Sequence, residues 1–385
     1  MTDKNAEAPI YLDHNATTPI DPEVLRAMMP FLTEEFGNPS SGYSLGKRAH
    51  EAMDHAREAV ADLLNCQPRE IVFTSGGSES NNMVLKGVVD LTNPRESHII
   101  TSAIEHPAIL NPALFLMELG VKLTILPVDR LGHVDPHDVR KAISPRTVLI
   151  TLMLANNETG ALQPMREISK IAAEHGVPLH TDAAQAVGKI PVDVGDLRLD
   201  FLSVAGHKLY GPKGVGALYI RDGRSVTPLI HGAAQEDGRR AGTENVVLAA
   251  GLGAACRVAS ERLQKDAERI GRMRDHLQDL LFEEIHGLAL NGPPEDRLPN
   301  TLNVSVPGLE GAKILDAIPS IMASTGAACH DRAVKLSHVL SAMSVPPEVG
   351  MGALRLTLGR GNTMEQIETA ARQIIQQVKR MRHEQ

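Results

Sequence analysis

Seven short apolar runs alternate with helical patterns through the first two thirds of the chain, and this alternation constrains the fold more than any other feature. The runs are rich in Val, Ile and Leu without a clean in–out alternation, as expected of strands covered on both faces. They lie at residues 71–74, 98–102, 122–126, 148–152, 177–180, 201–204 and 216–220. Helical patterns such as residues 51–64 and 165–175 lie between or just before them. We therefore predict an α/β fold with a mostly parallel seven-stranded sheet flanked by helices.

The last third of the chain predicts a second, smaller α/β unit. Residues 245–285 have the pattern of one or two long helices, first Ala-rich and apolar, then charged and amphipathic. Strands are expected at residues 301–306 and 354–358, and residues 365–381 predict a closing amphipathic helix. The change of pattern within the long helical stretch indicates a linker that leaves the large domain.

Composition limits the partners of the protein. A net charge of −8, an aromatic content of 3% and the lack of Trp argue against nucleic-acid binding, which needs basic or base-stacking surfaces. The polar N-terminus does not resemble a signal peptide, and no apolar run reaches membrane-spanning length. Cys66, Cys256 and Cys329 have neither disulfide-framework nor metal-ligand spacing. We expect a cytoplasmic protein with reduced thiols, no membrane partner and no metal site.

Three polar segments follow predicted strands directly. Residues 74–80 contain two glycines and open a helix, so backbone N–H groups there suit an anion, although a plain capped turn has the same pattern. Asp182 lies just past the end of a predicted strand, where a carboxylate could hold a protonated pyridine nitrogen, or simply cap a helix. Lys208 would emerge near it and could form a Schiff base, the alternative being a solvated lysine beside a turn.

Four further residues are candidates for the same site, each with an ordinary structural alternative. His106 could stack on a ring or relay protons, or be structural. Asn157 lies in a polar turn after a strand, where its amide could bind a ligand or be a buried turn amide. Arg355 interrupts an apolar strand, where it could bind a carboxylate or lie on an edge strand. Cys329 lies among small residues in a polar loop, where it is a candidate nucleophile or a buried, inert thiol.

A set of motifs spans nearly the whole chain. They are Tyr-Leu-Asp-His-Asn-Ala-Thr-Thr-Pro at 11–19, Ser-Gly-Gly-Ser-Glu-Ser at 75–80, Asn-Asn-Glu-Thr-Gly at 156–160, His-Thr-Asp-Ala-Ala-Gln at 180–185, Gly-His-Lys at 206–208 and Arg-Ala-Gly-Thr-Glu-Asn at 240–245. In these motifs the chain resembles the cysteine desulfurases and selenocysteine lyases, class V aminotransferases of pyridoxal-phosphate fold type I. Residues 154–160 and 322–330 look most similar to the selenocysteine lyase branch.

The resemblance implies pyridoxal 5′-phosphate as cofactor and assigns it a set of contacts. Lys208 would be the Schiff-base lysine, Asp182 would pair with the ring nitrogen, and His106 would stack on the ring and take part in catalysis. The other implied cofactor contacts are Gln185 at the ring hydroxyl, Asn157, and Gly77, Ser78 and His207 at the phosphate, with Thr243 reaching the phosphate from the partner subunit. A shared site of this kind implies a homodimer.

The resemblance also implies the substrate and the domain limits. Asn38, Asn157 and Arg355 would bind L-cysteine or L-selenocysteine, and Cys329 would accept the sulfur as a persulfide, for transfer to a sulfur- or selenium-acceptor protein. Residues 1–20 would join the small domain, 21–255 would form the large cofactor-binding domain, and 256–385 the small C-terminal domain with the cysteine loop.

Some positions depart from the common desulfurase pattern, and other functions stay open. Ala205 replaces a Ser that usually offers the phosphate a hydroxyl, residues 231–235 replace a glycine-rich stretch, and His330 follows the cysteine in place of Thr or Ser. A transaminase or a cystine C–S lyase would need no loop thiol. A non-catalytic scaffold with the same fold is a further alternative, against which the complete set of Lys208, Asp182 and His106 argues.

Overall fold

The structure is a computed structural model that describes residues 9–325 and 336–384. The strands of this part of the chain are β1 (Ile10–Tyr11), β2 (Ile71–Thr74), β3 (His98–Ser102), β4 (Lys122–Leu126), β5 (Thr147–Thr151), β6 (Leu179–Asp182), β7 (Phe201–Ala205), β8 (Gly216–Ile220), β9 (Ala289–Leu290), β10 (Thr301–Ser305), β11 (Ile321–Met322) and β12 (Ala353–Thr357). Its α-helices are α1 (Pro22–Thr33), α2 (Ser44–Leu64), α3 (Gly77–Gly87), α4 (Pro107–Glu118), α5 (Pro136–Ala142), α6 (Met165–Glu174), α7 (Val246–Glu284), α8 (Gly311–Asp316), α9 (His338–Ala342), α10 (Pro347–Gly350) and α11 (Met364–His383).

The large sheet has seven strands in the order β2-β8-β7-β6-β5-β3-β4. Its pairs are parallel from β7 to β4, whereas β8 runs antiparallel to both β7 and β2. Strands such as β7 are buried along their whole length because helices cover both faces. The predicted mostly parallel, seven-stranded α/β sheet is therefore confirmed.

Strand β6 begins later than its sequence pattern predicted. The apolar run starts at Val177, but Pro178 has no N–H to donate to the ladder, and the strand begins at Leu179. It then continues through Asp182, so the carboxylate lies on the last strand residue and not just beyond the strand. Asp182 is in register with Ser203 of the parallel neighbour β7, which brings the segment after β7 to the same edge of the sheet.

One continuous helix, α7, links two hydrophobic cores. Its first half packs in the core of the large sheet through residues such as Leu252, and its second half packs in a separate core through residues such as Leu277. Close approach of α2 requires Gly253, because a Cβ added there would lie 2.6 Å from the Cα atom of Ala56. Where the sequence predicted one or two long helices, the structure has a single helix of 39 residues.

The second core belongs to a smaller α/β unit. Here β12, β10 and β9 form an antiparallel sheet, and α11 packs against it. The N-terminal strand β1 pairs with β11, and Asp13 forms a bridge to Thr357 at the end of β12. The domain limits 1–20, 21–255 and 256–385 stay a prediction, and the boundary between residues 255 and 256 falls within α7. Among the described helices, none has the length and apolar character needed to cross a membrane.

Candidate functional site

A cavity of about 670 Å³ opens at the carboxyl ends of β6 and β7, beside the N-terminus of α3. Nine residues selected from the sequence line it. They are Gly77, Ser78, His106, Asn157, Asp182, Gln185, His207, Lys208 and Arg355. Segments up to 278 residues apart in the chain therefore meet in one site, at the sheet edge where open α/β folds bind ligands.

Asp182 is held at this edge by two hydrogen bonds. Asn81 donates its side-chain N–H to Oδ2 at 2.8 Å, and the backbone N–H of Ala184 donates to Oδ1 at 3.0 Å. The second contact is a local turn bond, and no α-helix starts at Asp182, so the helix-cap alternative does not describe it. Each carboxylate oxygen has a further lone pair, which leaves capacity for a ring N–H donor.

Lys208 follows β7 in a short 3₁₀ turn, Gly206–Lys208. Its Nζ donates to the backbone carbonyls of Asn15 at 2.5 Å and Ala16 at 2.7 Å. Burial, with a smaller contribution from Arg355, lowers the pKa of Lys208 to about 8, although Asp182 and Asp13 act in the opposite direction. An amine bonded inside a cavity does not fit the solvated-lysine alternative, and a lowered pKa increases its neutral, nucleophilic fraction.

His106 and Glu105 lie where β3 leads into α4. His106 is the N-cap of α4, and its Nδ1 accepts the backbone N–H of Ala108 at 3.1 Å, which leaves the ring proton on Nε2. Burial lowers the pKa of His106, which favours the neutral ring, although Asp182 acts in the opposite direction. Burial raises the pKa of Glu105 to about 8, and its carboxyl accepts bonds from the Ser102 hydroxyl and the Met153 N–H. Glu105 thereby joins the ends of β3 and β5 and fixes the position of His106.

The N-terminus of α3 provides room for an anion. Gly76 has φ +144°, a conformation that favours glycine, and no side chain of the described residues caps the helix. A Cβ added at Gly77 would meet Ala205 at an ordinary 3.5 Å, so the approach is open. Nearby, His207 shares a hydrogen bond with Thr17, and burial lowers its pKa to about 4. Free helix N–H groups and the hydroxyl of Ser78 suit a phosphate.

Arg355 lies on β12, an edge strand of the small sheet, but its side chain is buried and lines the cavity. Nη2 donates to Asp13 Oδ1 at 2.7 Å and Nη1 donates to the Asn157 carbonyl at 3.4 Å. Each of these two nitrogens carries two N–H groups, and these contacts engage one N–H of each. The guanidinium therefore keeps donor capacity that a carboxylate ligand would use.

Two predicted site residues are not among the described residues that line the cavity, and a third lies outside the described part of the chain. Asn38 is exposed, and its side chain accepts the backbone N–H of Ser40. Thr243 is exposed in the loop before α7, and a residue that serves the partner's site need not face the cavity of its own chain. Cys329 lies outside the described residues. The roles of all three stay predictions.

Sequence reasoning missed several residues that hold the site together. Asn81 orients Asp182, and a signal existed, because Asn81 lies one helical turn after Gly77 and so shares its face of α3. Asn15 receives the Lys208 amine, and Asp13 pairs with Arg355. Both belong to the motif at 11–19, but nothing local in that motif indicates which residues they meet.

These features fit pyridoxal phosphate. The cavity volume suits a small cofactor, an amine and a carboxylate both face it, and an uncapped helix N-terminus lies at one side. The remaining N–H groups on Nη1 and Nη2 of Arg355 suit the carboxylate of an amino acid substrate.

Comparison with known proteins gives the family that the sequence motifs resemble. The aminotransferase class-V family matches residues 10–369. The cysteine desulfurase IscS of Dictyoglomus turgidum is 48% identical over 360 residues, 93% of this chain and 91% of the relative. The cysteine desulfurase IscS of Methanosarcina thermophila is 45% identical over 376 residues, 97% of this chain and 93% of the relative.

Solved structures agree with these sequence comparisons. A NifS-like protein superposes with a TM-score of 0.90 at 37% identity, covering 96% of this chain and 98% of its own. SspA in complex with cysteine superposes with a TM-score of 0.81 at 37% identity, covering 91% of this chain and 98% of its own. The predicted closeness to selenocysteine lyases stays a prediction, since the relatives named here are desulfurases by name. The chain belongs to the aminotransferase class-V family of pyridoxal-phosphate enzymes, among its cysteine desulfurases.

Proposed function

We propose that this enzyme removes the sulfur of L-cysteine to give L-alanine, with Lys208 holding the cofactor and Cys329 accepting the sulfur. The observation that carries the proposal is the meeting of the Lys208 amine and the Asp182 carboxylate in one cavity, at the ends of neighbouring parallel strands. Arg355 lines the same cavity. An amine, a ring-nitrogen partner and a carboxylate-binding group form the minimum set for amino acid chemistry on pyridoxal phosphate.

Pyridoxal phosphate, when bound, is an electron sink that stabilises negative charge on the substrate and makes its Cβ–S bond cleavable. Lys208 would hold it covalently, with Asp182 at the ring nitrogen. His106 would lie against the ring, since its neutral imidazole is fixed by the Ala108 N–H. The remaining contacts would come from Gln185 at the ring hydroxyl, Asn157, Gly77, Ser78 and His207, and Thr243 of the partner subunit.

Lys208 is also suited to move the Cα proton of the substrate. A pKa of about 8 leaves part of the amine neutral near neutral pH, so it can take a proton and return it. Arg355 and Asp13 form an ion pair at 2.7 Å, which holds the guanidinium in place to receive the substrate carboxylate. Asn157 and Asn38 would complete the substrate contacts.

The sulfur step needs a thiol, and Cys329 would supply it. Its thiolate attacks the substrate sulfur and forms an S–S bond while the Cβ–S bond breaks. The electron pair of that bond stays with the carbon, which takes up a proton and leaves as alanine. The product on the enzyme is a persulfide at Cys329, whose outer sulfur then passes to an acceptor thiol on a partner protein. We place this reaction in a homodimer in the cytoplasm.

Selenocysteine is a second candidate substrate. The likeness of residues 322–330 to selenocysteine lyases favours it. A selenol is more acidic than a thiol, so selenium would leave with less help from Cys329. Removal of the thiol should therefore affect the two substrates unequally.

One preparation tested with both substrates decides between these functions. Wild type should release alanine from L-cysteine and L-selenocysteine, and Cys329→Ala should lose the cysteine reaction while keeping that with selenocysteine. Cys66→Ala is the control, because that thiol is partly buried and burial raises its pKa to about 12. Pyruvate with ammonia in place of alanine would indicate a C–S lyase, and a colourless protein without products would indicate a scaffold.

A further inference from the structure

A second lysine, Lys189, lies beside the cofactor cavity and has no part in the reaction proposed above. Its Nζ donates to Gln185 Oε1 at 2.6 Å and to Asn15 Oδ1 at 3.1 Å. Both contacts run from the amine N–H groups to amide oxygens, which accept hydrogen bonds but cannot donate them. Lys189 therefore fixes which way the amides of Gln185 and Asn15 face.

The orientation of Gln185 matters because this residue lines the cavity. With Oε1 turned to Lys189, the amide nitrogen lies on the opposite side, where one N–H donates to the Asn15 carbonyl at 3.0 Å. An amide nitrogen has two N–H groups. Among the described residues one of them is engaged, which leaves the other for a ligand in the cavity.

Asn15 connects Lys189 to Lys208. The Asn15 carbonyl that accepts from Gln185 also accepts from the Lys208 amine at 2.5 Å. Its side-chain oxygen accepts from Lys189 and from Asn300 at 2.9 Å. Lys189 and Lys208 are thus connected through a single residue, Asn15. Lys189 contacts the side chain of Asn15, and Lys208 contacts its backbone carbonyl.

The position is an unfavourable one for an amine. Burial, followed by repulsion from Lys208 and Arg355, lowers the pKa of Lys189 far below its usual range. Lys189 is partly buried, and a desolvated amine lowers stability unless polar partners compensate it, so an apolar side chain would be easier to accommodate here. The contacts to Gln185 and Asn15 are the compensation that the structure contains.

We propose that Lys189 is a positioning residue for the cofactor. It turns the remaining Gln185 N–H toward the hydroxyl on the cofactor ring, and it holds Asn15 where the backbone carbonyl meets the Lys208 amine. This inference rests on the proposed function, in which pyridoxal phosphate occupies the cavity.

The test measures cofactor binding by spectroscopic titration of the cofactor-free protein, without reference to turnover. Lys189→Met removes the donors in a side chain of similar length, Gln185→Ala removes the group that they orient, and the double variant combines them. Each single variant should bind pyridoxal phosphate about tenfold more weakly, the effect of losing one good hydrogen bond. Both should shift the visible band of the bound cofactor in the same direction. Lys170→Met, at an exposed position on α6, is the matched control and should resemble wild type.

The double variant separates positioning from a merely structural role. If Lys189 acts through Gln185, the double variant should bind no more weakly than Gln185→Ala alone. Losses that add, or a Lys189→Met protein with wild-type affinity and band, would overturn the proposal. If thermal unfolding shows that Lys189→Met does not fold, Lys189→Arg replaces it, because arginine keeps N–H donors at this position. A wild-type visible band of the bound cofactor in Lys189→Arg would support positioning, and a shifted band would contradict it. Failure of wild type itself to bind pyridoxal phosphate would instead overturn the proposed function.

Discussion

The chemistry assigned to Lys208 depends on its surroundings more than on the residue itself. A lysine in water is almost fully protonated at neutral pH and is a poor nucleophile. Here burial and Arg355 lower the pKa of the amine, while two backbone carbonyls hold it within the cavity. The side chain is thus placed and partly deprotonated by groups that belong to other segments of the chain.

A pH dependence of cofactor uptake follows. The pKa of Lys208 is lowered to about 8, so the amine is protonated and unreactive below that pH and neutral above it. The rate at which cofactor-free protein forms the visible band should rise with pH and level off above about 8. Stopped-flow absorbance measures this rate, with acetyl-lysine amide as the reference amine. A protein rate that keeps rising to about pH 10, as the free amine should, would contradict the lowered pKa.

Asp182 provides a second residue-scale prediction. Asn is similar in shape to Asp but carries no negative charge, so Asp182→Asn should keep the fold and lose stabilisation of charge on the ring nitrogen. Turnover of L-cysteine should fall on the order of 100-fold or more, as for other preorganised electrostatic groups. Alanine release measures the loss. Near wild-type turnover in the Asp182→Asn variant would remove the carboxylate from the reaction.

At the scale of elements, strand ends and helix starts determine where the site forms. The sequence pattern located most strands to within about two residues, and it placed Asp182 and Lys208 at one sheet edge. It could not identify Asn15 as the partner of Lys208, because 193 residues separate them and the contact depends on how the N-terminal segment packs. The same holds for Lys189 and Asn15, which are 174 residues apart. Polar contacts at long range have no periodic signal.

The start of α9 offers an element-scale prediction. The hydroxyl of Ser337 donates to Glu158 at 2.5 Å and accepts the N–H groups of Val339 and Leu340 as a helix cap. Ser337→Ala removes both contacts and should lower the free energy of unfolding by about 1–2 kcal/mol. Chemical denaturation of the cofactor-free protein measures this, with exposed Ser341→Ala as the control. Equal stability of the two variants would show that the cap contributes nothing.

At the scale of the whole molecule, two cores joined by α7 share one cavity. The large sheet supplies Asp182 and Lys208, and the small unit supplies Arg355 from β12. The Asp13–Arg355 ion pair ties the N-terminal segment to the small unit at the cavity itself.

The proposed homodimer can be tested by subunit complementation. If Thr243 serves the partner's site, a hybrid of one Lys208→Ala subunit and one Thr243→Ala subunit contains one complete site. At limiting pyridoxal phosphate, the purified hybrid should be more active than either parent dimer, and sedimentation should show two chains per particle. A hybrid no more active than its parents would indicate that Thr243 does not act across the interface.

Every step proposed for this enzyme depends on covalent attachment of the cofactor to Lys208, which borohydride reduction can locate. Reduction of the yellow protein fixes the cofactor on the amine that carries it, and mass spectrometry of the digested peptides locates it. We expect one pyridoxyl group, on Lys208, and no fixed cofactor in Lys208→Ala. A pyridoxyl group on the neighbouring Lys189, or on any other lysine of the wild-type protein, would contradict it.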